Sequence, residues 1–171
     1  MGMLTRNVRR VVQCRAALNR AFSSSEEPKS FIERVMEQGS DGLVGKFVNK
    51  GGFDQCLDGL TVTSQTPGEV EGHFEVEPGL QNTYKTLHGG AIATVIDVVG
   101  TMALLTKDAT KPGVSIEINS CYLNAAAAGD TVEFKGTVAK HGRKLGFADV
   151  ELTSRSTGKT IAKGRHTKFF P

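Results

Sequence analysis

Most of what would mark a metal centre, a disulfide framework or a secreted protein is missing from these 171 residues. There are three cysteines, and none forms a C-x-x-C pair: Cys14 lies near the start, and Cys56 and Cys121 are far apart. That spacing suggests neither a disulfide framework nor a zinc site. The four histidines, His73, His88, His141 and His166, show no metal-ligand spacing. No acid precedes Glu26, and no long apolar run accompanies that stretch, which argues against secretion. Gly2 follows Met1, but Arg6 breaks the myristoylation pattern. No stretch reads as long enough to span a membrane.

The acid-free start carries Arg6, Arg9, Arg10, Arg15 and Arg20, with Ser23, Ser24 and Ser25 after it. An Arg-rich, acid-poor, Ser-flanked segment describes an organelle transit peptide. Residues 1–22 are expected to be removed after Phe22, in the mitochondrial matrix or, alternatively, a plastid. The full chain holds 21 basic and 18 acidic residues, a net +3. Without the five early arginines the balance is 16 to 18, or −2, so no case for nucleic-acid binding survives. Residues 23–52 read as a linker with a short helix at 28–38, whose Phe31, Ile32, Val35 and Met36 share one face. Residues 53–171 are the expected folded domain.

The densest signal is His88-Gly89-Gly90, followed nine residues after the histidine by Asp97. The residues between are almost wholly apolar, so the stretch from His88 to about Thr106 reads as one buried helix with a single acid. A helix apolar on nearly every side must be wrapped by other structure, and a carboxylate there must be compensated or useful. Gly89 and Gly90 open the helix start, where backbone N–H groups lack intrahelical partners and carry the positive end of the dipole. Nine residues turn roughly half a revolution and advance about 13.5 Å. His88 and Asp97 of one chain therefore face opposite ways, and if both act in one site, the site needs two chains. The other reading is that His88 caps the helix and Asp97 is a satisfied core acid. Chemistry alone leaves both open.

Around that helix lie strand signals at residues 57–65, 69–76, 114–123, 130–140, 145–154 and 160–169, with turns at Thr66-Pro67-Gly68 and Lys111-Pro112-Gly113. Val114, Ile116 and Ile118 alternate with Ser115, so Ser115 faces the helix only if those three face away. Antiparallel strands around one apolar helix are α+β.

Four segments in this order carry a resemblance: Asn82-Thr83-Tyr84-Lys85-Thr86-Leu87-His88-Gly89-Gly90, then Asp97, then Pro112-Gly113-Val114-Ser115, then Gly164-Arg165-His166-Thr167-Lys168. The chain resembles the hot-dog fold acyl-CoA thioesterases of the acyl-CoA thioesterase 13 type, relatives of the phenylacetate-pathway thioesterases. The resemblance covers about residues 47–170. It implies a long central helix wrapped by a curved antiparallel sheet, and hydrolysis of acyl-CoA to free acid and CoA with no metal or cofactor beyond the substrate. It puts the catalytic acid on Asp97, which activates a water or attacks directly, and the water-positioning serine on Ser115. The Gly89 N–H polarises the carbonyl, while Asn82 and His88 hold the thioester end and the entering water. It also implies a shared site in a homodimer, often joined into a homotetramer. Tyr84-Lys85 and Phe169-Phe170 depart from the family's neighbourhood of the motif.

Lys140-His141-Gly142-Arg143-Lys144-Leu145 packs three formal positive charges around a glycine between two strands. The resemblance makes this segment, with Tyr122, the CoA-binding lining; the alternative is a solvated hairpin tip. Two other readings of the whole chain are a hot-dog dehydratase or hydratase, for which no differently placed acid or histidine is seen near the helix, and a non-catalytic acyl-thioester binding protein, against which Asp97 and Ser115 both argue.

Overall fold

Gly89–Lys107 form the one α-helix, α1, among the residues that the computed structural model describes, 52–171. The expected leader at 1–22 and short helix at 28–38 lie outside the described residues. From Ala91 to Leu105 only Ala93 and Asp97 keep appreciable exposure. With Gly90 they lie at spacings of three and four, so they make one uncovered seam on an otherwise buried cylinder. The 19-residue helix has a mean hydropathy of 1.6 over its most apolar window. By length and composition it could cross a membrane, which corrects the expectation that no stretch is long enough. Yet 67% of that window is buried inside the fold, so its apolar character is that of a core helix.

The wrapping comes from six antiparallel strands: β1 (Thr61–Thr66), β2 (Glu69–Glu75), β3 (Val114–Tyr122), β4 (Thr131–His141), β5 (Leu145–Ser154) and β6 (Thr160–Phe169). Their order in the sheet is β1-β2-β4-β5-β6-β3, which gives the α+β hot-dog arrangement and leaves β3 at an edge. On β2, Val70, Gly72 and Phe74 are buried while Glu71 and His73 between them stay wetter. Their side chains join Phe134, Val150, Leu152 and Ile161 against Val95, Ile96, Val99 and Met102 of α1. Each large aliphatic side chain so buried contributes about 1.5–3 kcal/mol.

Helix and sheet approach most closely where glycine faces them. A Cβ on Gly100 would lie 2.8 Å from the Cβ of His166, and one on Gly164 would lie 2.5 Å from Ile96. That contact brings β6 onto α1 beside Asp97.

Two expectations for the strands need correction. The first strand does not begin at residue 57: Phe53–Leu57 form a 3₁₀ turn, and β1 starts at Thr61. Leu57 and Leu60 are both buried, and the Leu60 N–H donates to the Leu57 carbonyl at 2.9 Å. A three-residue apolar spacing closed by such a bond belongs to a tight turn. Nor does β3 alternate strictly. Ser115 pairs with Lys168, Glu117 with Thr167 and Ile118 with His166, so Ile116 is the extra residue of a bulge. Ser115 does face the helix, with Val114 and Ile116 outside at 60% and 58% exposure. Ile118, beyond the bulge, shares the inner face with Ser115 instead of opposing it.

Candidate active site

The helix start is built by side chains that hold backbone. His88 is the N-cap of α1, and its Nδ1 accepts from the Gly90 N–H at 2.8 Å. An amide can only donate, so Nδ1 bears the lone pair and the proton sits on Nε2, on an exposed ring. Gly89, the first helical residue, has no carbonyl one turn earlier to bond. Tyr122 lies across it: the ring is 3.5 Å from where a Gly89 Cβ would stand, and its hydroxyl donates to the Gly89 carbonyl at 3.3 Å. Asn82 fastens the preceding loop. Its Oδ1 accepts from the N–H groups of Tyr84 (2.9 Å) and Thr86 (3.2 Å), and its Nδ2 donates to Thr86 Oγ1 at 2.9 Å. That pattern curls the chain through Lys85, the one described non-glycine residue at positive φ, 61°. One amide hydrogen of Asn82 is left for another partner.

A second group forms nine residues along α1. His166 is fully buried on β6, with Nδ1 3.0 Å from the backbone carbonyl of Asp97 and Nε2 2.8 Å from Ser115 Oγ. The carbonyl can only accept, so the neutral ring carries its proton on Nδ1 and Nε2 takes the Ser115 hydroxyl. The Asp97 carboxylate stands 3.4 Å from both Ser115 Oγ and His166 Nε2. Ser115 has one proton, and the shorter contact claims it. Its oxygen lone pairs and the carboxylate are thus left facing a common space. Burial, with a smaller push from the Lys168 cation, holds the imidazole below its ordinary value, although Asp97 opposes the shift. Asp54, on the 3₁₀ turn that packs against α1, is raised by burial and then by the nearby Asp97 carboxylate.

Asp97 departs from the sequence reading in one respect. Its side chain is 45% exposed, not buried, because it lies on the uncovered seam beside edge strand β3. His166 is the member that the sequence reading did not assign, although the motif containing it was singled out. The available signal was parity: Gly164, His166 and Lys168 share the inward side of β6, and an inward histidine beside an acid-bearing helix is a candidate.

The two groups do not meet within one chain. Gly89 and Asp97 are about 12 Å apart along the helix axis, and Ser115 and Tyr122 about 23 Å apart along β3. The cationic segment lies at the Asp97 end. Lys140 and His141 close β4, Leu145 opens β5, and Gly142, Arg143 and Lys144 make the turn. Arg143 and Lys144 are exposed, whereas His141 stacks on buried Phe170 with ring centroids 4.8 Å apart. Lys144 Nζ lies 5.6 Å from the centre of the Phe169 ring. Tyr122 is thus at the opposite end of the fold from the segment it was grouped with. On the outer face of the sheet, Lys163–Glu151, Arg165–Asp149 and Lys135–Glu71 pair across neighbouring strands. This exposed layer is separated by the backbone from Ser115 and His166.

A family model for the thioesterase superfamily matches residues 84–161, a span that includes His88, Asp97 and Ser115. Acyl-coenzyme A thioesterase 13 of Mus musculus is 41% identical over 117 residues, covering 68% of this chain and 84% of its own. The chain belongs to the thioesterase superfamily. Within it, acyl-coenzyme A thioesterase 13 of Homo sapiens is 42% identical over 116 residues, covering 68% and 83%. The crystal structure of zebrafish thioesterase superfamily member 2 matches with a TM-score of 0.72 and 40% identity over 75% of this chain and 94% of that one. A Streptococcus mutans protein solved with bound acetyl-CoA matches at 0.62 and 26%, over 66% and 88%. This member of the superfamily is a thioesterase, which sets aside the dehydratase and binding-protein readings.

Proposed function

We propose that the chain hydrolyses acyl-CoA thioesters to a free acid and CoA, with Asp97 as general base. The carrying observation is the Asp97 carboxylate beside a serine whose only proton is engaged by a neutral histidine. A water between them would donate one hydrogen to Asp97 and the other to Ser115 Oγ. As its oxygen attacks the thioester carbon, Asp97 takes a proton and the carbonyl electrons move onto oxygen. A Gly89 N–H facing that oxygen would stabilise the developing charge by about 2.7–4 kcal/mol, as one oxyanion-hole donor typically does. Collapse of the tetrahedral intermediate breaks the C–S bond, CoA leaves as its thiolate, and the proton on Asp97 passes to that thiolate or to water, which restores the base. The Nε2–H of His88 and the spare amide hydrogen of Asn82 are donors for the thioester end. Arg143 and Lys144 would hold CoA phosphates. The relatives' names, and the acetyl-CoA bound to the Streptococcus mutans protein, support the substrate class.

The same reading calls for a second copy. In a single chain Gly89 is too far from Asp97 for both to serve one carbonyl. Strand β3 offers an unpaired edge carrying exposed Val114, Ile116 and Tyr122. Antiparallel pairing of two such edges around Ile118 would carry Tyr122 and Gly89 of each copy toward Ser115 and Asp97 of the other. The arrangement is a two-fold homodimer, which could pair again as a homotetramer.

A thiol-release assay over a panel of acyl-CoAs tests the reading. Wild-type protein should release CoA, and Asp97→Asn should lower kcat by at least about a hundredfold, in the range of general-base loss. Near-normal turnover in the folded variant would remove Asp97 from the mechanism.

A further inference from the structure

A buried lysine stands behind the base, and the hydrolysis described above makes no use of it. Lys168 is 6% exposed. On β6 it follows His166 by two residues and therefore points inward with it. Its Cα partners are Ser115 on β3 and Gly146 on β5. Its Nζ donates to Thr101 Oγ1 at 3.0 Å. Thr101 is one turn beyond Asp97 on α1, so the ammonium is anchored on the helix face that carries the carboxylate. Burying an ammonium is costly where an apolar chain of equal length could pack.

Resting on the thioesterase reading above, we propose that Lys168 is a positioning residue: its ammonium fixes the charge pattern around Asp97, so that His166 remains neutral and the Ser115 hydroxyl stays directed at Nε2. The groups facing it can be named element by element. Lys168 is faced from α1 by Asp97 and the neutral Thr101, from β3 by Ser115 and from β6 by His166, while Asp54 of the 3₁₀ turn acts on Asp97. The facing β5 positions, Gly146 and Ala148, carry no charge. With a carboxylate and an ammonium already opposed, a proton on His166 would add a second cation beside Lys168. It would also reverse the histidine bond, since Nε2–H would donate to Ser115 and turn the hydroxyl proton toward Asp97. The base would then spend its lone pair on serine instead of on water. Asp97 acts on Lys168 in the opposite sense from burial: burial lowers the ammonium's affinity for its proton and the carboxylate raises it.

The test follows His166 by NMR through a pH titration of the full chain, beside the pH profile of thiol release. In Lys168→Met the imidazole should take up its proton at higher pH than in wild type. The acid limb of kcat should move the same way, by about tenfold in proton concentration, the effect of one close charge, with KM little changed. Lys168→Arg, which keeps the charge, should return both curves toward wild type. Thr101→Val, which keeps the cation and removes only its anchor, should leave the histidine titration within about threefold in proton concentration of wild type. Should Lys168→Met fail to fold, Lys168→Gln carries the same comparison. A histidine titration that superimposes on wild type in the folded neutral variant overturns the proposal. Wild-type protein that releases no thiol from any acyl-CoA refutes the hydrolase reading, while the His166 titration still decides whether the lysine sets the charge.

Discussion

His88 has two nitrogens, to which the proposed function gives separate duties. Nδ1 closes the helix by accepting from Gly90, and Nε2–H is free for a ligand. The sequence reading set a functional histidine against a capping one, and the geometry lets one ring do both. The duties separate on substitution. His88→Ala removes the cap and should lower stability by about 1 kcal/mol, a typical N-cap loss. His88→Asn supplies a new cap oxygen and should recover most of that, while still lacking the imidazole donor. Urea unfolding of the three proteins at one fixed concentration reads the difference, and equal loss in both variants would show that the cap bond contributes nothing. At this scale the sequence exposed His88 and Asp97, because each is an unusual residue for its place, whereas Ser115, on a strand, stood out only through the family resemblance. It did not expose the linkage through His166, because hydrogen bonds between residues 51 apart in the chain leave no local spacing.

Elements were easier to read than contacts. Strands β2 and β4–β6 follow from apolar periodicity and from Gly, Asp and Ser at their ends, and α1 is found within about a residue of its observed limits. The 3₁₀ turn at Phe53–Leu57 was hidden because Leu57 and Leu60 look like the start of a strand. The β4–β5 turn was legible as a cluster of charge, but not the inward stacking of His141 on Phe170, which depends on where β6 ends. With that histidine turned inward, the exposed cations of the turn itself are Arg143 and Lys144. Replacing both with alanine should raise KM for an acyl-CoA about tenfold or more and change kcat little, since phosphates remote from the reacting carbon are held equally in the ground and transition states. The effect should vanish for a pantetheine thioester lacking the nucleotide. Equal losses on both substrates would contradict a phosphate grip.

On the scale of the whole molecule, the half-exposed Asp97 and the bare edge of β3 are one observation. An acid on an uncovered seam next to an unpaired edge is what the proposed homodimer would cover. In that proposal the separation of Gly89 from Asp97 would make the second copy a source of site residues as well as of buried area. Two inactive variants, Asp97→Asn and the double change Asn82→Ala with His88→Ala, test this. In a mixed dimer both defects fall in one site and the other is intact. Co-refolding should therefore restore up to about half of wild-type activity per mixed dimer, as two-fold symmetry requires. Mixed dimers verified by mass tags that remain dead would refute the shared site. The bulge at Ile116 adds one consequence for how such a site is encoded. Because that extra residue inverts the facing of everything before it, Ser115 is aimed inward by a count of residues and not by any property of serine. A chain one residue shorter at that point could keep every side chain of the catalytic set and still present its hydroxyl to water. The length of β3 up to Ser115 therefore matters to the proposed site as much as the serine itself.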